Sequence, residues 1–228
     1  MASALRKPAF LFDLDGTLID SVYQHVLAWR DALEQENMSL PAWIIHRRIG
    51  MSGGLISSAL QRETGRPVSL KTGEKLQKLH TKYYLKHIDQ IKPLPGAKKL
   101  LAHLTSRSIP WTVATSSSLE RAQHALKLLH VGSKIPVVTR DDVTHGKPDP
   151  DLFLAAADRL DVPIDHCMVV GDSVWDLLAA QRAGTLGIGV LSGGYGQEEL
   201  LAAGAYRVYQ DTADLFEHLD EVGVRETQ

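Results

Sequence analysis

Five short apolar runs punctuate the chain, each closed by a polar or glycine-containing turn. They are Ala9-Phe10-Leu11-Phe12, Trp111-Thr112-Val113-Ala114, Ile135-Pro136-Val137-Val138, Met168-Val169-Val170 and Gly187-Ile188-Gly189-Val190. Runs that are apolar at consecutive rather than alternate positions predict strands buried on both faces. Between and around them lie helical patterns over Leu119 to His130, Asp151 to Leu160 and Val174 to Ala183. Strands alternating with helices of ~10–15 residues predict βαβ units and a parallel sheet. Right-handed crossovers then place helices on both faces. The expected fold class is α/β, a doubly wound parallel sheet.

One interval breaks this rhythm. From Asp15 to Trp111 no strand pattern stands out, only helical stretches near 20–36, 53–64, 71–90 and 97–106. The last follows Pro93-Leu94-Pro95-Gly96 and reads as the crossover helix feeding the Trp111 strand. The first three make a unit from Asp20 to Lys92, too long for a connecting loop. The expectation is a smaller all-helical domain, 20–92, inserted after the first strand into a core built from 1–19 and 93–228. Its inner edge would face the carboxyl ends of the strands, where open α/β sheets bind ligands.

Composition narrows the function classes. The chain has 228 residues, with 25 Lys+Arg against 27 Asp+Glu and a formal charge of −2, which gives no basic footprint for nucleic acid. Its 44% hydrophobic and 23% charged residues are those of an ordinary globular protein, which excludes disorder and low complexity. The single cysteine, Cys167, cannot form an intramolecular disulfide and fits a reducing compartment. No apolar run approaches the roughly 20 residues needed to cross a bilayer. Arg6 and Lys7 before the first run faintly echo a signal peptide, but no small-residue cleavage site follows. The expectation is a cytoplasmic protein without a membrane or nucleic-acid partner, monomeric or homodimeric.

Four polar segments follow apolar runs or stand near their ends. In Asp13-Leu14-Asp15-Gly16-Thr17-Leu18, residues i and i+2 lean the same way at a strand exit, so two carboxylates can address one spot. They would repel unless a cation or a shared proton intervened. The plainer reading is an Asx turn with Asp-Gly punctuation. Thr115-Ser116-Ser117-Ser118 offers hydroxyls and free N–H groups at a helix start, suited to phosphate. Equally, Ser117 or Ser118 is a plain N-cap. In Gly146-Lys147-Pro148-Asp149-Pro150, Asp149 reads as an N-cap with proline at the first helical position. Lys147 either neutralises phosphate and carboxylates or is a solvated surface charge. In Gly171-Asp172-Ser173-Val174-Trp175-Asp176, Asp172 sits at a strand mouth and Asp176 one helical turn on. The alternative is Asp172 as N-cap, with Asp176 complementing the helix dipole.

Together these segments supply several carboxylates, one lysine and hydroxyl or amide donors. A hard cation such as Mg2+ takes oxygen ligands of this kind, and phosphoryl transfer depends on such charge neutralisation. Neither a P-loop nor an intact Gly-x-Gly-x-x-Gly after the first strand is present.

The ordered set resembles the haloacid dehalogenase superfamily over nearly the whole chain, in its phosphatase and β-phosphoglucomutase-like subgroup with a helical cap. The resemblance implies a Mg2+-dependent phosphatase of a small phosphorylated metabolite, of the sugar-phosphate or phosphoglycolate class. Asp13 would be the nucleophile, forming an aspartyl-phosphate, and Asp15 the general acid and base with a raised pKa. Thr115, Ser116 and Lys147 would bind phosphate. Asp13, Asp172 and the backbone carbonyl of Asp15 would hold the metal, with Asp176 in its outer shell. In the cap, His25, Arg47, Arg48 and Gly50 are candidate specificity residues, although Arg47 and Arg48 also read as solvated helix-end charges. Trp29, Trp43, Trp111 and Trp175 read as packing. A mutase of this type would carry a basic residue where Gly53 stands, which favours hydrolysis. The sugar-phosphate mutase and a non-catalytic phosphate-binding regulator are the alternatives.

Overall fold

The computed structural model describes residues 8–65 and 68–224. Arg6 and Lys7 lie outside them. Six parallel strands form the main sheet: β1 (Ala9–Phe12), β4 (Trp111–Ala114), β5 (Val137–Val138), β6 (Cys167–Gly171), β7 (Leu186–Val190) and β8 (Ala205–Tyr209). Their order is β5-β4-β1-β6-β7-β8, so β1 lies between β4 and β6, and the chain winds outward first one way and then the other. That reversal opens a crevice at the carboxyl ends of the central strands.

The consecutive apolar pattern of β1 follows from covering on both faces. Phe10 and Phe12 pack with Leu100, Leu101 and Leu104 of α5 (Ala97–Ser106) and with Ala122 and Ala125 of α6 (Leu119–Leu128). Ala9 and Leu11 point the other way. They pack with Leu152, Phe153 and Ala156 of α7 (Asp151–Leu160) and with Ala179 and Ala180 of α8 (Val174–Ala183).

Between β1 and α5 the chain forms α1 (Val22–Gln35), α2 (Ala42–His46), α3 (Gly53–Thr64) and α4 (Leu70–Lys86). These helices share an apolar cluster of their own that includes Val26, Trp29, Leu33, Ile45, Ile56, Leu60, Leu76 and Leu79. The chain leaves for and returns from this segment through a two-residue antiparallel ribbon, β2 (Ile19–Asp20) with β3 (Lys92–Pro93). The strand-free interval expected before Trp111 therefore needs correcting. Two paired residues are too few to show a period.

The remaining elements also escaped the pattern. The five-residue α2 is shorter than two helical turns. Beyond β7 lie α9 (Gln197–Ala202), β8 and α10 (Thr212–Glu217). The edge strand β8, Ala-Tyr-Arg-Val-Tyr, exposes Tyr206 and Arg207 and so lacks a buried run. Among the described residues, no helix is long and apolar enough to cross a membrane.

Candidate active site

Adjacent strand ends bring the four polar segments together. Asp13 continues β1, and its N–H donates to the Val170 carbonyl of β6 (2.8 Å), which fixes the two exits side by side. Asp172 follows β6, while Thr115 follows β4 with its N–H on the Val138 carbonyl (2.9 Å). Oxygens of Asp13, Asp172 and Asp176 all lie within 4.8 Å of one another, and all three residues are buried. The Thr17 hydroxyl donates to Asp172 Oδ1 (3.1 Å). Gly16 has φ +92°, and a Cβ there would meet Asp172 Oδ2 at 2.5 Å. The turn must therefore be glycine, both for its left-handed backbone and for the approach of this carboxylate.

Lys147 is wholly buried and is not the solvated charge its alternative reading allowed. Its Nζ contacts Asp13 Oδ1 and lies 2.7 Å from Asp176 Oδ1. Burial disfavours the ammonium, but Asp13 and Asp176 outweigh it and hold the Lys147 pKa above its ordinary value. Asp176 also accepts the Ser173 hydroxyl (2.6 Å) and N–H (3.1 Å) on Oδ2, closing a capping box at the start of α8. The N-cap is thus Ser173, not Asp172.

A cavity of about 430 Å3 opens over this cluster. It is lined by Asp13, Asp15, Thr115, Ser116 and Ser117 from the sheet side and by His25, Trp29, Gly50 and His80 from the helical segment. The Asp15 carboxylate stands apart from the three-acid cluster. It accepts hydrogen bonds from Ser21 Oγ (2.6 Å) and Ser117 Oγ (2.9 Å) and lies 3.2 Å from His25 Nε2. His25 Nδ1 in turn meets His80 Nε2 at 3.1 Å, and its ring stacks on Tyr84.

These surroundings set the carboxylates apart electrostatically. Burial pushes the Asp13 carboxyl up, Lys147 only partly offsets it, and Asp176 and Asp15 add to it, giving about 7. Asp172 is likewise raised, by burial and then by Asp176 and Asp13. For Asp15, burial is outweighed by the charge of His25 and by the hydrogen bonds from His25, Ser21 and Ser117, so its carboxyl is held well below the usual range. Asp15, expected to carry a raised pKa, is lowered instead. One ammonium faces three crowded carboxylates, whereas Asp15 has its own donors.

Residues 7–184 match the haloacid dehalogenase-like hydrolase family. The chain belongs to that family. This haloacid dehalogenase-like hydrolase is 34% identical over 198 residues to a phosphoglycolate phosphatase of Neisseria meningitidis, covering 85% of this chain and 84% of that one. It is 32% identical to the β-phosphoglucomutase of Bacillus subtilis, covering 91% of each. A hydrolase from Pseudomonas syringae of known crystal structure superposes with a TM-score of 0.93 at 52% identity, covering 96% of this chain and all of that one.

Several sequence expectations for this hydrolase change in three dimensions. Arg47 does not line the cavity. Its guanidinium pairs with Glu199 and lies 4.4 Å from the Tyr195 ring centre, joining the end of α2 to the sheet side. Arg48 pairs with Glu63 inside the helical segment and is also off the cavity. Gly50 does line it, and its carbonyl accepts the Ser116 hydroxyl (3.0 Å). Ser117 is not an N-cap; Ser118 holds that position without a side-chain bond, and Asp141 Oδ2 takes the Leu119 N–H (2.9 Å). Asp149 pairs with Arg182, and Pro150 precedes the helix rather than opening it. Trp43 is 68% exposed, so it is not packing, and Trp29 lines the cavity, stacked on His80.

Sequence reasoning missed Thr17, Ser21, Ser117, His80 and Arg121. Thr17 stood inside the Asp-x-Asp-Gly-Thr motif without an assigned role. His80 and Arg121 sit within helical patterns that hide which side chains face a cavity.

Proposed function

We propose that this chain is a Mg2+-dependent phosphatase of a small phosphorylated metabolite and that Asp13 carries the phosphoryl group between two half-reactions. The observation that supports this most is the buried Asp13 carboxylate at the cavity, beside one lysine and two further carboxylates. The helical segment 20–92 serves as the cap, meeting the core along Arg47–Glu199, Ser116–Gly50 and the Ser52 N–H to the Lys147 carbonyl (3.1 Å).

The donor set fits Mg2+. It is all oxygen, closely grouped, and short of positive charge, as the raised Asp13 and Asp172 carboxyls attest. Asp13 and Asp172 would hold the ion, with the Asp15 backbone carbonyl as the further oxygen and Asp176, tied to Lys147 and Ser173, in the outer shell, as the resemblance implies. Bound there, Mg2+ supplies charge neutralisation for the carboxylates and the transferring phosphoryl oxygens.

The protein's own groups do the rest. In the first half-reaction an Asp13 oxygen attacks phosphorus, the P–O bond to the alcohol breaks, and the departing oxygen takes a proton from Asp15. A phosphate dianion entering beside Asp15 opposes the effect of His25, so that the carboxylate takes up that proton from solvent before the P–O bond breaks. In the second, Asp15 takes a proton from water as the water's oxygen displaces Asp13 from phosphorus. Lys147, Thr115 and Ser116 hold the phosphoryl oxygens throughout. Hydrolysis is favoured over mutase chemistry because Arg47 and Arg48 are committed to Glu199 and Glu63 rather than turned to a second phosphate.

Phosphate release from simple phosphomonoesters is expected with Mg2+ and to vanish with EDTA, returning when Mg2+ is restored. Turnover that survives exhaustive chelation would overturn the metal assignment.

The pH dependence follows from the sign of the Asp13 shift. Its folded carboxyl binds a proton more tightly than the unfolded one, from 3.8 up to about 7. In metal-free protein the stability this group contributes is complete below 3.8 and lost as pH rises through about 7. Mg2+ must displace that proton, so the rise in Tm on adding Mg2+ is expected to be slight at pH 4.5 and full at pH 8. A pH-independent rise measured by scanning calorimetry would contradict this.

A further inference from the structure

The foot of the cap, at the end of α2, rests on the two core loops that flank Asp172. The Arg47 carbonyl accepts two hydrogen bonds, from Trp175 Nε1 (3.2 Å) and from the Tyr195 hydroxyl (3.1 Å). Trp175 belongs to the turn between Asp172 and Asp176, and Tyr195 to the loop between β7 and α9. The neighbouring His46 places Nε2 2.8 Å from the Gly193 carbonyl, which can only accept, so the imidazole donates there. Gly193 in turn lies directly against the acid: a Cβ on it would fall 1.7 Å from Asp172 Oδ2.

The Arg47 side chain closes the same grip. Its guanidinium lies 4.4 Å from the Tyr195 ring centre and reaches both Glu199 oxygens, Nη1 to Oε2 at 3.3 Å and Nη2 to Oε1. Both side chains are more than a third exposed, 37% and 40%, so the ion pair by itself contributes little stability. A planar fork held between a ring and a carboxylate instead fixes where α2 sits. His46, Arg47, Trp175, Gly193, Tyr195 and Glu199 all lie off the cavity wall, so contact with substrate does not account for them.

We propose that Arg47 is a positioning residue which, gripped by Trp175, Tyr195 and Glu199, couples the seating of the cap to the binding of a divalent cation at Asp172. The inference rests on the phosphatase reading above, which supplies both the cap and the cation. Crowded carboxylates push apart until a cation joins them. Drawn together, they make the turn after Asp172, and Gly193 beside it, a firm seat for Arg47 and His46. The element with two positions is the cap, which joins the core covalently only through the β2–β3 ribbon. The coupling runs both ways, so a seated cap also holds Asp172 in place for the cation.

The test uses the full chain and reads metal affinity and backbone protection rather than turnover. Isothermal titration gives the Mg2+ Kd, and amide hydrogen exchange is followed over 45–52 with and without saturating Mg2+. In the unaltered protein Mg2+ is expected to slow exchange there by at least ~5-fold, the lower end of ordinary coupling between sites. In Arg47→Gln, and in Trp175→Phe, which keeps a ring but loses the N–H, that slowing should shrink below ~2-fold while the Mg2+ Kd rises ~3-fold or more. Arg47→Lys should fall between, since the charge returns without the fork. A merely structural role would speed exchange over 45–52 equally with and without Mg2+ and leave the Kd unchanged, which would overturn the proposal. So would Mg2+ binding to the unaltered protein with no added protection there, and the phosphatase reading would then stand. Failure of the unaltered protein to bind Mg2+ at all would instead sink the metal assignment above, and this inference with it.

Discussion

Asp13→Asn is expected to reduce phosphate release by at least ~10⁴-fold, as removal of a covalent nucleophile does. The replacement is nearly isosteric and keeps an oxygen for Lys147, which retains Asp176 as its second carboxylate. An amide cannot form the acyl-phosphate, so the loss should fall on kcat. Stability should change little, because the variant also relieves the crowding that raises the Asp13 and Asp172 carboxyls. Rapid-quench assays on folded variant should therefore show no phosphoprotein and no burst of alcohol. Activity within tenfold of the unaltered chain would remove Asp13 from the chemistry.

Lys147→Met is expected to cost about 3–5 kcal/mol of stability in metal-free protein at neutral pH, the penalty for leaving buried charge without its partner. The ammonium is wholly buried between Asp13 and Asp176, so solvent cannot substitute for it. Two features separate this from lost packing. Mg2+ should restore part of the deficit, since a second cation can take over the carboxylates. Acidification should shrink it too, because protonated carboxyls need no counter-charge. Urea denaturation with and without Mg2+ at two pH values reads both. A deficit within the about 0.5 kcal/mol of an ordinary surface change would refute the structural role of the pair.

Both variants act on residues that the order of motifs exposed. Asp13, Asp15, Lys147 and Asp172 each follow an apolar strand or stand in a loop near one, and parallel α/β topology sends such positions to one rim. The helical segment was legible too, because some 70 residues without strand pattern cannot be a loop. The partners of Asp15 were not legible. Ser21, His25 and Ser117 reach it from the start of α1, from α1 itself and from the loop after β4, and a hydroxyl that caps a helix looks the same in sequence as one that binds a carboxylate. Arg47 and Arg48 show the same limit. Two adjacent cations near a cavity rim read as substrate ligands until Glu199 and Glu63 are found to hold them.

The sequence by itself determined that strands and helices alternate, that a helical unit interrupts them, and that a small set of acids, one lysine and hydroxyls gather at the strand ends. Those features follow from local periodicity and chain direction. Only the tertiary structure decided which acid is crowded and which is paired: Asp13 is raised by its neighbours, while Asp15 is held ionised by His25. It also decided that Arg121 and Arg140, rather than Arg47 or Arg48, line the cavity. The physical reason is that a charge's energy depends on burial and on neighbours brought from distant parts of the chain, which no local pattern records.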